Sequence, residues 1–216
     1  LMIIIGLSFV LPKRLPPTAR VSYFTLIKSM PKLLIISSVL RRRSIYQALL
    51  FATFCIFWTA TPLYLLSSDF GFTHTQVALF ALVGVAGGIV APMAGRAADH
   101  GKGPLATLLA LSFCIIAYLI SHIFEPGTTA AVIALGLAAI VLDAGVSMNL
   151  VVGQRYIFSL QPEFRSRING VFIATIFIGG AIGSSLGVWA YEKGGWYLTS
   201  IVGGAMPLAA LLLFFT

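Results

Sequence analysis

The sequence predicts an all-α integral membrane protein, a bundle of six membrane-spanning helices. Of its 216 residues, 59% are hydrophobic and only 9% are charged, whereas soluble domains carry about 25% charged residues. The mean hydropathy is +1.00. The apolar residues fall into six long runs, each near the ~20 residues that a helix needs to cross a bilayer. Because lipid does not tolerate open sheet edges and a barrel would show alternating hydrophobicity, we interpret these runs as helices.

The chain opens with an apolar run over residues 1–11 that is too short to cross a bilayer, and we expect it to be the end of a helix whose beginning is missing. Residues 12–43 follow as a basic cytoplasmic linker. Within it we predict an amphipathic helix, Lys32–Leu40, lying on anionic lipid headgroups, although an ordinary solvated linker is equally compatible. Residues 44–216 carry the spans, at approximately Ile45–Leu66, Gln76–Gly95, Pro104–Phe124, Thr129–Val152, Ile168–Tyr191 and Trp196–Thr216.

The positive charges are distributed unevenly between the two sides of the predicted bundle. If the spans alternate in direction, all lysines and arginines except Lys193 fall on one side. Short loops rich in Lys and Arg face the cytoplasm. We therefore predict a multi-pass protein of the inner (plasma) membrane, with the linker 12–43 and the loops 96–103 and 153–167 in the cytoplasm.

Composition also argues against several other classes of protein. The formal charge of +8 sits in short loops and forms no basic face interleaved with aromatics, so nucleic acid is not an expected partner. Cys55 and Cys114 are single thiols in different spans, which predicts neither a disulfide framework nor a metal site. A membrane-embedded enzyme would need clustered His, Asp or Cys in facing spans, and the one carboxylate within the spans, Asp143, stands alone. We expect no enzyme activity and no cofactor.

Asp143 is the first residue that we consider as a candidate functional site. A charged group in the hydrocarbon region costs at least a few kcal/mol, so it should face protein or a wet cavity rather than lipid. At about 100° per residue, Ser147 and Gln154 project to the same side of the helix as Asp143, while Asn149 points to another face. The counted charges put the Gln154 end of this span at the cytoplasm, which predicts that Asp143 lies inward of the midplane.

Glycines recur at four-residue spacing in two of the predicted spans. The longer row is Gly179, Gly183 and Gly187 in the fifth span, and the second span contains two rows, Gly84 with Gly88 and Gly87 with Ala91 and Gly95. Small residues at this period let another helix approach closely, because lipid supplies no hydrophobic drive for association. We interpret the rows as packing seams; seams on which helices slide during a transport cycle are the alternative.

Short motifs recur at the ends and in the middle of the spans. The loop after the second span reads Gly-Arg-Ala-Ala-Asp-His-Gly-Lys-Gly-Pro and resembles the glycine-aspartate-basic loop of the major facilitator superfamily. The chain is similar to the arabinose-efflux-permease-like, drug:proton antiporter branch at Asp143–Val146 with Asn149 and Gln154, at Pro162–Gly170, at Gly179–Ser184 and at Gly194–Trp196. Two departures are His100, where arginine is usual, and Lys102, where glycine is expected. Family members have twelve spans, and this chain resembles the second six.

The resemblance implies the C-terminal half of a transporter that exports small organic molecules in exchange for protons by alternating access. The partners implied are the substrate, protons, the bilayer and an N-terminal six-helix half. The residues expected along the substrate and proton pathway are Asp143, Asn149, Gln154, Gln47, Tyr46 and Trp58. Those expected in a cytoplasmic loop or gate are Gly95, Arg96, Asp99, Gly103, Glu163, Arg165 and Arg167.

Three alternatives stay open at this stage. Asp143 is either a proton-coupling group or one partner of a structural ion pair with Arg155 or Arg167. The loop charges at Glu163 and Arg165 either form a gate network or are simply solvated. The chain as a whole is either a transporter half, or an inactive transporter remnant or a non-transporting membrane protein that lacks its N-terminal half.

Overall fold

A computed structural model describes residues 32–160 and 165–216 of the chain, and these residues contain helices and no strand. The all-α membrane fold predicted from the sequence is thereby confirmed. Four helices are long and apolar enough to cross a membrane among the described residues. The elements are α1 (Ser38–Leu66), α2 (His74–Ala81), a 3₁₀ helix (Leu82–Val90), α3 (Ala91–Asp99), α4 (Gly103–Ile120), α5 (Thr129–Phe158) and α6 (Arg165–Phe214).

Three of the six predicted spans differ from separate, simple α-helices. The second consists of α2, the 3₁₀ helix and α3 in succession. The 3₁₀ stretch reads Leu-Val-Gly-Val-Ala-Gly-Gly-Ile-Val, and its glycines and β-branched residues are poor α-helix formers. The fifth and sixth spans run together as α6 and are separated by a kink at Gly194 and Gly195, where Gly195 has φ 58°. Glycine adopts this left-handed conformation without the Cβ penalty that other residues incur.

The first span begins earlier than hydropathy predicts. Ser37 has an extended backbone, and its side chain accepts a hydrogen bond from the backbone N–H of Leu40 at 3.2 Å, so it caps α1 at Ser38. The predicted amphipathic helix Lys32–Leu40 is consequently divided, with 32–36 helical and 38–40 already inside α1. Arg41, Arg42 and Arg43 thus belong to the membrane-spanning helix α1.

Helix α5 also extends beyond its predicted end, to Phe158 rather than Val152. Asp143 therefore lies at the middle of this 30-residue helix instead of nearer to one end. The extra turns are polar, and hydropathy alone does not register them as part of the helix.

Helix α1 packs along α6 over the glycine row. A Cβ atom at Gly183 would lie 2.7 Å from Ala52 Cα, and one at Gly187 would lie 3.0 Å from Ile56 Cα. These are approaches to the α1 backbone that only a residue without a side chain permits. The seam fixes α1 in the bundle and so positions the polar side chains that α1 directs toward α5.

Candidate functional site

Asp143 is hydrogen-bonded to an aromatic side chain of the first helix. The indole Nε1–H of Trp58 in α1 donates to Asp143 Oδ1 at 3.0 Å. Both side chains are partly buried. The two residues that the sequence proposed separately for the substrate and proton pathway are therefore direct partners.

The glycines of the 3₁₀ helix form a notch around this pair. A Cβ atom at Gly84 would lie 2.5 Å from Asp143 Oδ2 and 2.5 Å from Trp58 Cζ2. One at Gly87 would lie 2.5 Å from Asp143 Cβ and 2.8 Å from the backbone N of Ala144. The glycine positions that the sequence suggested for helix packing thus accommodate a carboxylate and an indole.

A second polar pair joins α1 to α5 further along. Asn149 Nδ2 donates to Gln47 Oε1 at 2.7 Å, and Gln47 Nε2 donates to the backbone oxygen of Val146 at 3.3 Å. Asn149 is fully buried, and its Oδ1 has no hydrogen-bond partner. Asn149 lies six residues beyond Asp143, a rise of about 9 Å along the helix, and its partner Gln47 lies on the same helix α1 as Trp58, the partner of Asp143. A buried amide oxygen left unpaired is a polar group available for a bound solute or water.

The other two predicted pathway residues lie elsewhere. The hydroxyl of Tyr46 donates to the backbone oxygen of Leu213 at 3.1 Å and accepts from Arg42 Nε at 3.1 Å. Gln154 is partly buried, more than two turns beyond Asp143 on α5. Four of the six pathway candidates therefore form two pairs, Gln154 belongs to neither, and Tyr46 belongs to a separate group of polar side chains at the start of α1.

The predicted ion pair between Asp143 and Arg155 is absent. Arg155 Nη1 lies 2.9 Å from Asp99 Oδ1 instead, in a half-exposed pair that connects α5 to the end of α3. Exposed ion pairs stabilise a fold by about 0–1 kcal/mol, so this contact contributes little to holding the bundle together. The carboxylate at the helix centre has an indole partner, while the arginine nearest its end pairs with the loop.

The remaining loop candidates surround this ion pair. Gly95 is buried, and a Cβ there would lie 3.7 Å from Arg155 Nη2. A Cβ at Gly103 would lie 2.5 Å from the hydroxyl oxygen of Tyr156. Arg96 is exposed, and its backbone oxygen accepts a hydrogen bond from the N–H of His100. The Nε of Arg165 donates to the backbone oxygen of Phe158 at 3.0 Å. Arg167 lies on the first turn of α6. Glu163 lies outside the described residues.

Sequence reasoning missed one buried cation. Arg43 is 9% exposed, its Nη1 donates to Thr107 Oγ1 at 2.6 Å, and its guanidinium lies 3.9 Å from the centroid of the Tyr156 ring. In the sequence it counted only as one of three consecutive arginines on the cytoplasmic side. The sequence held one sign of this burial: Arg43 is the last of the three arginines and lies directly before the apolar run.

A bundle of apolar helices with amide, indole and carboxylate groups buried between them defines an integral membrane protein whose interior is built around polar contacts. Residues 43–216 match the model of the Major Facilitator Superfamily, and the chain belongs to this family of transporters. The resemblance first seen in the loop and span motifs is confirmed at this level.

Two relatives illustrate the similarity. The chain is 31% identical to the uncharacterized transporter YgaY of Escherichia coli O157:H7 over 191 residues. These residues are 88% of this chain and 48% of that protein. It is 27% identical over 178 residues to the probable transporter SCO4007 of Streptomyces coelicolor, covering 82% and 40% respectively. The chain thus spans about half the length of the relatives it matches. No solved structure is significantly similar to it.

Proposed function

We propose that this chain forms the C-terminal six-helix half of a twelve-helix secondary transporter that exports small organic molecules in exchange for protons. Family membership and the transporter relatives support transport rather than catalysis. The order of motifs along the chain supports the C-terminal half and the drug:proton antiporter branch. The substrate would bind between this bundle and an N-terminal one, which rock against each other in alternating access.

The observation that carries the proposal is the setting of Asp143. Its carboxylate lies at the middle of a membrane-spanning helix and is partly buried, with one neutral hydrogen-bond donor, Trp58 Nε1. A carboxylate in the hydrocarbon region is energetically costly. Such residues are therefore rare, and they usually mark a proton or substrate pathway. In the proposed cycle, Asp143 takes up and releases the exchanged proton, while the Gln47 and Asn149 amides offer hydrogen bonds to the solute.

A structural role for Asp143 is the competing possibility, and the glycine notch favours it. Gly84 and Gly87 hold the carboxylate closely against Trp58, as expected of a group that fixes one helix against another. The two roles predict different properties for a variant in which the charge of Asp143 is removed. A coupling group is needed only when protons drive transport, whereas a structural group is needed for folding.

The test replaces Asp143 with Asn in the full-length protein, reconstituted in vesicles. We expect Asp143→Asn to abolish accumulation driven by a proton gradient while exchange of labelled for unlabelled substrate continues. Asp69→Asn, at an exposed loop carboxylate, is the matched control and should leave both activities intact. Loss of folded protein in Asp143→Asn, or unchanged proton-driven accumulation, would contradict the coupling role.

We further propose that the Asp99–Arg155 pair is a cytoplasmic gate contact, and that the charged residues Glu163, Arg165 and Arg167 predicted from the sequence belong to the same gate. The half-exposed pair joins two elements that would separate when the cytoplasmic side opens. Charge exchange, Asp99→Arg with Arg155→Asp, should restore transport that each single substitution reduces. If the double variant is no better than the single ones, the pair is an ordinary solvated contact.

The orientation is part of the same proposal. We place residues 12–43, 96–103 and 153–167 on the cytoplasmic face of the inner membrane, on the evidence of the lysine and arginine distribution. Reporter fusions after residue 100 and after residue 127 should report opposite sides of the membrane. Equal reporter activity at both positions would overturn the assignment.

A further inference from the structure

Two neighbouring arginines line a cavity at the end of the bundle where α1 begins. The cavity has a volume of about 280 Å³ and lies between the first turns of α1, the last turns of α5 and the end of α6. It is lined by Val39, Arg42, Arg43, Tyr46, Tyr156 and Phe214. Four of these six side chains are polar, and the two charged ones have the same sign.

Arg43 is buried without an opposite charge. Its contacts are the hydroxyl of Thr107 and the ring of Tyr156, both neutral. No carboxylate of the described residues lies within ion-pair distance of its guanidinium. Burying a charge is expensive unless it is paired and hydrogen-bonded, so the arrangement calls for an anion.

Arg42 presents a second guanidinium to the same cavity. Its Nε donates to the hydroxyl of Tyr46 at 3.1 Å, and its Nη2 donates to the backbone oxygen of Leu213 at 3.0 Å. These bonds hold the side chain in place and leave its positive charge without a carboxylate among the described residues. Each guanidinium keeps N–H donors beyond the hydrogen bonds described, and arginine is a preferred partner of phosphate in proteins.

We propose that this cavity binds the phosphate of an anionic lipid headgroup. A lipid suits the surroundings because exposed apolar side chains flank the cavity: Val39 is 37%, Leu213 is 43% and Phe215 is 72% exposed. Acyl chains can lie against these residues while the phosphate reaches the arginines. The site involves neither Asp143 nor Asn149, so it does not depend on the proposed transport cycle.

The consecutive arginines provide their own control. Arg41 donates to the backbone oxygens of Leu34 and Ile35, at 3.2 and 3.1 Å, and does not line the cavity. Removing its charge alters the net charge of the segment as much as removing that of Arg42. A comparison of Arg41→Gln with Arg42→Gln therefore separates a specific site from general attraction to an anionic surface.

The experiment measures lipid retention by the full-length protein in detergent, by native mass spectrometry with phosphatidylglycerol or phosphatidylcholine added. We expect one phosphatidylglycerol to be retained in preference to phosphatidylcholine. Arg42→Gln and Arg43→Gln should each weaken this retention about tenfold, the effect of losing a charge-assisted hydrogen bond. Arg41→Gln should change it by no more than about twofold, because Arg41 does not line the cavity.

Three results would overturn the assignment. They are equal losses in Arg41→Gln and Arg42→Gln, equal retention of the two lipids, and thermal stabilisation by inorganic phosphate as large as that by phosphatidylglycerol, which would indicate a soluble anion instead. Because Arg43 is buried and its replacement can impair folding, the decision rests on Arg42. Arg42→Lys keeps the charge and should retain the preference for phosphatidylglycerol in part.

Discussion

Two helix contacts in this protein are lined by glycine, and they differ in what fills the space that the missing side chains leave. Where α6 meets α1, a Cβ at Gly183 would collide with the backbone of Ala52. Where the 3₁₀ helix meets α5, a Cβ at Gly84 would collide with the side chains of Asp143 and Trp58. The first contact brings two backbones together, and the second makes room for polar side chains.

This difference shows that small-residue spacing has two uses in one bundle. A backbone-to-backbone seam gains its stability from close packing along its whole length. A notch filled by side chains also fixes their orientation, here that of a carboxylate relative to its indole donor. The two contacts should therefore respond differently when a methyl group is added.

The largest effect is expected at the α1–α6 seam. Gly183→Ala would place its Cβ 2.7 Å from Ala52 Cα, and because backbone atoms cannot rotate away, the two helices must separate. We expect a loss of about 2–3 kcal/mol in the free energy of unfolding, measured by denaturation in detergent. Gly204→Ala, with no atom within 4 Å of its Cβ, is the control and should be neutral or stabilising. Similar stability of the two variants would show that the seam is looser than described.

An intermediate effect is expected at the notch. Gly87→Ala would place its Cβ 2.8 Å from the backbone N of Ala144, whereas at Gly84 the nearest atoms belong to side chains that can move. We expect Gly87→Ala to cost about 1–2 kcal/mol and Gly84→Ala to cost less but to reduce proton-driven transport by displacing Asp143.

The matched control for the notch is Gly88→Ala, in the same 3₁₀ helix with no atom within 4 Å of its Cβ. Thermal unfolding and vesicle transport would be measured on all three variants. If Gly84→Ala reduced transport no more than Gly88→Ala, the precise position of the carboxylate would be unimportant.

The helical fold could be predicted from the sequence because lipid imposes it on any long apolar run. Hydropathy locates the part of a helix that lies in the bilayer, however, and not the helix itself. This is why α1 begins at Ser38, before the arginines, and why α5 continues to Phe158. The interruption at Leu82–Val90 could not be predicted from an apolar count, since its glycines and valines are as compatible with a membrane span as leucine is.

Four of the predicted site residues lie in two hydrogen-bonded pairs, and this pairing could not be predicted from the sequence. Helical periodicity placed Asp143 and Asn149 on different faces, and the structure gives them different partners, Trp58 and Gln47. Of the two arginines considered as structural partners of Asp143, Arg155 pairs instead with Asp99 at the end of α3. Which residue of another helix lies opposite a given side chain depends on the relative height and rotation of the two helices, and a single sequence does not contain that information.

The smallest effect should come from the hydrogen bond itself. Trp58→Phe keeps an aromatic ring in the notch but removes the Nε1–H that donates to Asp143 Oδ1 at 3.0 Å. We expect a loss of about 1 kcal/mol in the free energy of unfolding, smaller than at either glycine contact. Trp189→Phe, at a half-exposed indole, is the control for replacing a tryptophan.

The same variant also distinguishes the two proposed roles of Asp143. If the carboxylate exchanges protons, removing a donor that stabilises its charged form changes the pH dependence of proton-driven transport while exchange of labelled substrate continues. If the carboxylate is structural, Trp58→Phe lowers the amount of folded protein and leaves the pH dependence of the remaining transport as it was. Only a shift in the pH profile at unchanged folded yield supports the coupling role, because a packing defect lowers transport equally at every pH.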